Sequence, residues 1–239
     1  AEKRKQMKQY MELASRTLVK SGFSSESVQV KILNRKRGIA RDILREAQEG
    51  YEWVMAGRKG ISKLQEIVLG NVALKLLEKV SFLPIMLVGN PAANNKVLVA
   101  MDSSENAMRA VEFVGSVLGG HNFHITLIHV IRGTIGPDFP HYFSTWESED
   151  RAKKSMENSF EDARAKLVNS GFSTNQIDTR LITGVSSRAA AVVNEAVQYD
   201  YDTIVVGRRG LSKVREFFMG RVGNKIVTMA KNKSVWIVT

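Results

Sequence analysis

Short apolar runs alternate with longer amphipathic stretches along most of the chain. Beyond residue 95, five runs are predicted as strands: "KVLVAM" (96–101), "FHITLIHV" (123–130), "QIDTRLI" (176–182), "TIVVG" (203–207) and "SVWIV" (234–238). Helical spacing of apolar residues predicts helices after the first strand and over 146–170, 186–199 and 221–231, whereas 131–145 is predicted as a loop. Strands alternating with helices predict the α/β class, with a parallel sheet covered on both faces.

Much of this pattern occurs twice. "GRKGISKLQEIVLGN" at 57–71 returns 150 residues later as "GRRGLSKVREFFMGR" at 207–221, and "SGFS" at 21–24 returns at 170–173. The preceding helices keep their apolar spacing, Met7, Met11, Ala14 and Leu18 matching Met156, Phe160, Ala163 and Leu167. The sequence therefore predicts a tandem duplication.

The two copies are predicted to differ in extent. Residues 91–239 contain every strand of one domain, whereas 1–90 begin inside the helix before the third strand and correspond to the back half of another. The first strand of an open doubly wound sheet lies centrally. We therefore expect that Ala1 is not the natural start of the protein.

Composition narrows the class of protein. The 239 residues are 44% hydrophobic, without an apolar run long enough to span a bilayer and without a secretory leader, so we expect no membrane association. The absence of cysteine excludes disulfides and thiolate metal sites and fits the cytoplasm. A formal charge of +11, from 35 basic and 24 acidic residues, favours anionic partners.

The repeated glycine segment is a candidate phosphate site. Gly207 and Gly210 follow a predicted strand, and Gly220 comes just before a helix whose N-terminus attracts anions. Glycines there permit positive φ and close approach of a ligand. Asp102 ends the first strand of its copy, where a carboxylate could bind ribose hydroxyls. The alternative is structural: the glycines only turn the chain, and Asp102 caps the helix that follows.

The spacing G-x-x-G, nine residues, G, together with a strand-Asp-x-Ser opening, resembles the universal stress protein family in its tandem, two-domain form. The resemblance implies a duplicated, Rossmann-like, open doubly wound sheet of five parallel strands in the order 3-2-1-4-5, with ATP as ligand, with or without Mg²⁺. It assigns Asp102 to the ribose, the backbone of Val130 to the adenine, Gly207, Gly210 and Gly220 to the phosphates, and Val206 and Val222 to the lining of the site. The corresponding first-copy residues are Gly57, Gly60, Gly70 and Asn71.

The sequence departs from the ATP-binding pattern of the family after the third glycine. The family has Ser or Thr there, whereas this chain has Asn71 and Arg221. Asn71 can donate a hydrogen bond, and Arg221 can either pair with phosphate oxygens or occupy the pocket. The implied function is a nucleotide-dependent stress regulator or sensor. The alternatives are a nucleotide-independent scaffold and a weak ATPase.

Other chemistry is weakly indicated. We identify no nucleophile beside a base and no paired carboxylates, and hence no catalytic residues. His124 and His129 are an odd number of residues apart on one strand, so no metal site is predicted. The basic cluster at 35–37 lacks interleaved aromatic residues, which argues against nucleic acid. The apolar last strands, "PIMLVG" and "SVWIVT", predict an intramolecular pseudo-dimer, and two whole chains are expected to form a homodimer.

Overall fold

A computed structural model describes residues 2–58, 69–91, 93–133, 145–209 and 219–239. Its helices are α1 (Glu2–Lys20), α2 (Ile39–Ala47), α3 (Asn71–Lys79), α4 (Glu105–Leu118), α5 (Thr145–Asn169), α6 (Arg188–Gln198) and α7 (Arg221–Met229). Its strands are β1 (Val54–Gly57), β2 (Ile85–Val88), β3 (Lys96–Ala100), β4 (His124–Arg132), β5 (Ile177–Val185), β6 (Thr203–Gly207) and β7 (Ser234–Val238). Short 3-10 helices span Ser25–Ser27 and Thr174–Gln176. Most of the predicted loop at 131–145 lies outside the described residues.

The chain divides into two compact units, Ala1–Asp42 and Ile43–Thr239. In the first unit, the apolar stripe of α1 is largely solvent-accessible, with Met7 44% and Leu18 42% exposed. The matching positions of α5 in the second unit are buried, Met156 at 3% and Leu167 at 0%. The same apolar spacing therefore packs into a core in α5 but not in α1.

The second unit contains one continuous sheet in the order β1-β2-β7-β6-β3-β4-β5. The five strands from β3 onward are mutually parallel and lie in the order β5-β4-β3-β6-β7. In chain order this arrangement is 3-2-1-4-5. The chain winds outward from β3 to β4 on one side and later to β6 on the other, so the winding direction reverses beside β3. The predicted α/β class is confirmed.

Helices flank this sheet as packed pairs. Right-handed crossovers that run in opposite directions place their helices on opposite faces of a sheet. Helix α4 packs with α5, and helix α6 packs with α7. The core beneath α4 and α5 combines branched strand residues such as Val99 and Leu127 with Val114 of α4 and Leu167 of α5, all 0% exposed. These apolar contacts fix the strand ends that position the candidate site.

Within the described residues the sheet has seven strands, rather than five, because β1 and β2 extend it beyond β7. β2 pairs antiparallel with β7, with Ile85 opposite Ile237, Met86 opposite Trp236 and Leu87 opposite Val235. Met86 and Trp236 are 150 residues apart and therefore occupy the same place in the two repeats. The antiparallel pairing is therefore centred on residues that match in the repeated sequence.

The strands next to this junction have the same register in both repeats. Gly57 lies opposite Val88 between β1 and β2, and Gly207 lies opposite Val238 between β6 and β7. The backbone N–H of the residue after each glycine then donates to the last strand, Arg58 to the Val88 carbonyl at 3.0 Å and Arg208 to the Val238 carbonyl at 2.6 Å. The two "GR" segments thus have the same local backbone structure.

Asp202 anchors the connection between β2 and β3. Its carboxylate accepts hydrogen bonds from the backbone N–H groups of Ala93 (2.9 Å), Asn94 (2.9 Å) and Lys96 (3.2 Å). Burial alone would raise the pKa of Asp202, but these three donors more than offset that effect and lower it below the usual value. The charged carboxylate therefore stabilises the folded state.

Asp202→Ala is expected to lower the free energy of unfolding by about 2 kcal/mol at pH 7, because three backbone donors lose a charged acceptor. The folded-state pKa lies below the unfolded one, so this contribution is present above about pH 4 and is lost as the pH falls through the lowered value. Urea unfolding of wild type and variant between pH 7 and pH 2.5 measures it. Asp162→Ala, an exposed carboxylate on α5, is the control. An equal difference at every pH would contradict the assignment.

Candidate functional site

A cavity of about 730 Å³ opens at the carboxyl ends of β3, β4 and β6, beside the N-termini of α6 and α7. This is where the winding direction of the sheet reverses, and open α/β sheets bind ligands at that point. The volume lies within the range of small-molecule sites. The lining includes Ala100, Met101, Asp102, Ile128, Val130, Val192, Val206, Gly207, Gly220, Arg221, Val222 and Gly223.

The charged groups around the cavity are predominantly basic. Among the described residues, the lining contains five cationic side chains, Arg132, Arg188, Arg209, Arg221 and Lys225, and the carboxylate of Asp102. All five cationic residues are exposed to solvent, so they reach the cavity from its rim. Such a concentration of positive charge raises the local concentration of anionic ligands.

The N-terminus of α7 faces the same cavity without a side-chain cap. Gly220 is the N-cap residue, with φ −57°, and within the described residues this N-cap makes no side-chain cap hydrogen bond. By contrast, Ser104 caps α4 and Ser187 caps α6 by accepting from backbone N–H groups. The first turn of α7 therefore presents backbone donors and a partial positive charge to a ligand in the cavity.

Close packing, rather than a positive φ, explains the glycine at position 207. Gly207 and Gly220 are absent from the described glycines with positive φ, and Gly70 has φ −70°. A Cβ at Gly207 would lie 2.8 Å from the carbonyl oxygen of Asn106, at the start of α4. The expectation of positive φ was therefore wrong for these residues. Gly60 and Gly210 lie outside the described part of the chain.

Asp102 lies where predicted, at the end of β3 and in the lining of the cavity. One carboxylate oxygen accepts hydrogen bonds from the backbone N–H of Ser104, at 3.1 Å, and from the Ser104 hydroxyl. The Ser104 hydroxyl oxygen in turn accepts from the N–H of Ala107 at 3.2 Å. The alternative that Asp102 itself caps α4 is thus corrected: Ser104 is the cap, and Asp102 orients it.

The part of the cavity beside β4 combines apolar side chains with two basic ones, Arg132 and Arg188. Val130 is 4% exposed, and its carbonyl oxygen accepts from Nε of Arg188 at 3.2 Å. The register between β4 and β5 shifts between Val130 and Arg132, which interrupts the regular ladder at this point. Val206 and Val222 also line the cavity, as expected from the sequence.

The first-copy candidates lie at the equivalent backbone positions. Gly57 ends β1, Gly70 is the N-cap residue of α3 and Asn71 begins that helix, again without a side-chain cap. The N–H of Gly70 donates to the Arg58 carbonyl at 2.7 Å, as that of Gly220 donates to the Arg208 carbonyl at 2.8 Å. Each of these two bonds closes the base of one glycine segment.

The histidines make separate contacts. Nε2 of His124 lies 2.7 Å from Asp178, whereas Nδ1 of His129 lies 2.7 Å from the Met101 carbonyl. Within the described residues, no group of three or more His, Cys, Asp and Glu is placed to hold a metal ion. No helix of the described ranges is long and apolar enough to cross a membrane.

Several lining residues were not identified from the sequence. Arg132, Arg188, Arg209 and Lys225 come from four different segments, and only the fold brings them to one rim. Arg209 alone had a local signal, since it lies within the glycine segment itself. The N-cap serine of α6, Ser187, was also missed, although "SSR" before an apolar helix is a typical start signal.

The fold and the cavity define a doubly wound α/β protein with a cavity, lined in part by basic side chains, at the point where the winding direction reverses. Residues 93–239 match the model of the universal stress protein family. The chain belongs to the universal stress protein family.

Individual relatives are distant in sequence. Universal stress protein YxiE of Bacillus subtilis (strain 168) is 25% identical over 140 residues, which are 55% of this chain and 90% of that protein. A putative universal stress protein from Pseudomonas aeruginosa UCBPP-PA14 has a similar fold, with a TM-score of 0.64 and 16% identity, covering 97% of this chain and 77% of that one. Universal stress protein UspA from Lactobacillus plantarum has a TM-score of 0.53 and 18% sequence identity, and the match covers 62% of this chain and all of that one. These structural likenesses concern the fold alone.

Proposed function

We propose that this chain is a nucleotide-dependent stress-response regulator that binds an adenine nucleotide, ATP in the first instance, in the cavity above β3 and β6. The observation that carries the proposal is the combination of an uncapped α7 N-terminus with five cationic side chains around one cavity. A triphosphate needs backbone donors and positive charge, and both are present on the α7 side. The apolar surface near Val130 suits a base, and Asp102 offers oxygens to ribose hydroxyls.

The residues fit this ligand by chemical type. The carbonyl of Val130 has two lone pairs, so it can accept from a base while it accepts from Arg188. Asp102 is a carboxylate, so its oxygens are chemically suited to accept hydrogen bonds from ribose hydroxyls. Arg221, which replaces the Ser or Thr of the ATP-binding pattern, is proposed to pair with phosphate oxygens. Magnesium would be held by the phosphates themselves.

The direct experiment is identification of the nucleotide that the purified protein carries. The protein is denatured, released small molecules are identified by chromatography and mass spectrometry, and the stripped protein is titrated with ATP by calorimetry. Near-stoichiometric adenine nucleotide or micromolar affinity supports the proposal. Absence of both would favour the alternative, a nucleotide-independent scaffold, which the internal role of Asp102 at Ser104 also fits. Phosphate release in the same samples tests the weak ATPase alternative.

The proposal includes the organisation of the molecule. We propose that residues 1–90 are the back half of a first universal stress domain and 91–239 a complete second one, located in the cytoplasm. The antiparallel pairing of β2 with β7 and the matched registers of the two repeats support an intramolecular pseudo-dimer. Sedimentation equilibrium of the purified chain tests the expected homodimer.

Asp102→Ala is expected to weaken ATP binding about tenfold or more, because a charged acceptor is lost from the ribose. Calorimetric titration measures the change. The substitution also removes support from Ser104, so Ser104→Ala is the matched control: it loses the same cap and costs about 1 kcal/mol of stability. Equal losses of affinity in the two variants would show that Asp102 acts only through the cap.

A further inference from the structure

Two arginines of the repeat are buried, although neither belongs to the cavity. Arg58 is 2% and Arg208 4% exposed, and each directly follows the glycine that ends its strand. Burial lowers the pKa of both guanidinium groups. A buried cation is costly unless it is well hydrogen-bonded. The hydrogen-bond acceptors of the two guanidinium groups therefore show which parts of the fold these side chains stabilise.

Each arginine side chain donates to the final helix region of the other repeat. Nη2 of Arg58 donates to the Val227 carbonyl and Nη1 to the Lys233 carbonyl at 3.5 Å. Nη2 of Arg208 donates to the Leu77 carbonyl at 2.8 Å and Nη1 to the Val80 carbonyl at 2.5 Å. Leu77 and Val227 are 150 residues apart, so the principal contacts are reciprocal.

The carbonyls of Leu77, Val80 and Val227 lie in or just after the last turns of α3 and α7, whereas that of Lys233 directly precedes β7. A cation there complements the negative end of the helix dipole and satisfies acceptors that the helix leaves unpaired. The opposite end of α7 is the uncapped N-terminus at the cavity, and the opposite end of α3 carries Gly70 and Asn71. The backbones of the same arginines close the base of each glycine segment.

We infer that Arg58 is a positioning residue for the side of the cavity formed by the N-terminus of α7, because it holds the other end of that helix from the other repeat. Arg208 holds the end of α3 in the same way. The two form a reciprocal clamp across the β2–β7 junction. Through its arginine, each glycine segment is thereby connected to the helix that follows the other glycine segment. The inference about ligand binding rests on the proposed nucleotide function, whereas the clamp itself does not.

Amide hydrogen exchange of the ligand-free full chain tests the clamp. Arg58→Met keeps the aliphatic stem but removes the donors, and we expect exchange to rise about tenfold in α7 and to stay near wild type in α3. Arg208→Met should give the crossed result, with faster exchange in α3. Arg58→Lys, with one point charge in place of the fork, should restore part of the protection. Equal increases in both helices, or no increase in either, would overturn the inference.

Calorimetric titration with ATP tests the consequence for the site. Arg58→Met is expected to weaken binding about fivefold, although Arg58 does not line the cavity, because a displaced α7 misaligns its first-turn donors. Tyr201→Phe is the control: it deletes a buried hydrogen bond, 2.9 Å to Thr126, at the other end of β6, and should leave affinity unchanged. Unchanged affinity in Arg58→Met, or an equal loss in Tyr201→Phe, would refute the positioning role. If wild type binds no nucleotide, the proposed function fails, and the exchange pattern still decides the clamp.

Discussion

Gly207→Val is expected to lower the free energy of unfolding by about 3 kcal/mol, near the upper end for overpacking, which would reduce Tm by about 6–12 °C for a chain of this size. The Cβ would lie 2.8 Å from the carbonyl oxygen and 2.9 Å from the carbonyl carbon of Asn106. Both are backbone atoms in the first turn of α4, which Ser104 and Asp102 hold in place. The helix must therefore move away from β6 as a whole. Thermal unfolding followed by circular dichroism measures the change.

Gly223→Ala is the matched control, because it adds a Cβ in the same region without a clash. The nearest atoms would be side-chain carbons of Met219 and Val206, both at 3.6 Å, which is ordinary van der Waals distance. Gly223 lies within α7, where alanine favours helix by about 1 kcal/mol. We expect unchanged or raised Tm. Similar losses in the two variants would contradict the account of Gly207.

This result changes how the glycine pattern is used as a signal for function. From the sequence alone, Gly207→Val would be chosen to abolish nucleotide binding with the fold intact. The structure indicates instead that the substitution damages the packing of α4 on β6, so lost binding would follow from lost structure. Arg221, an exposed residue of the cavity lining, is a better test, and Asp102 is one when Ser104→Ala controls for the helix cap.

The parts of the fold that depend on local pattern were predictable from the sequence. β6 and β7 coincide with the apolar runs "TIVVG" and "SVWIV", and α5 begins and ends within one residue of the predicted 146–170. The position of Asp102 at a strand end followed from the same alternation. These features depend on periodicity within a few turns or one strand, which a single sequence displays directly.

The features that depend on distant segments were not predictable. The clamp needs Arg58 to meet Val227 and Arg208 to meet Leu77, contacts that exist only after β2 pairs with β7. In the sequence, both arginines were merely repeated members of a glycine motif. The basic rim has the same origin, since its side chains converge from separate elements. The hydropathy pattern does not identify these arginines either, because a buried arginine and an exposed arginine have the same hydropathy value.

Arg221→Glu is expected to weaken ATP binding about 100-fold, which corresponds to about 2.7 kcal/mol. The substitution changes the local charge by two units at the first residue of α7, beside the proposed triphosphate. A glutamate at this position complements the positive end of the helix dipole, so the fold should be as stable as wild type or slightly more stable. Calorimetric titration and thermal unfolding of the same sample therefore separate the two effects.

The same charge change at the far end of the helix is the control. Lys231→Glu lies two residues beyond α7, outside the lining of the cavity, and the nine residues of the helix separate it from Arg221 by about 13 Å. This distance exceeds the Debye length of about 8 Å at physiological ionic strength, so we expect less than about a threefold loss of affinity. Arg221→Ser, which restores the side chain of the ATP-binding pattern, should lose less than Arg221→Glu. Equal effects of Arg221→Glu and Lys231→Glu would mean that net charge, rather than a phosphate bound at the N-terminus of α7, governs the interaction.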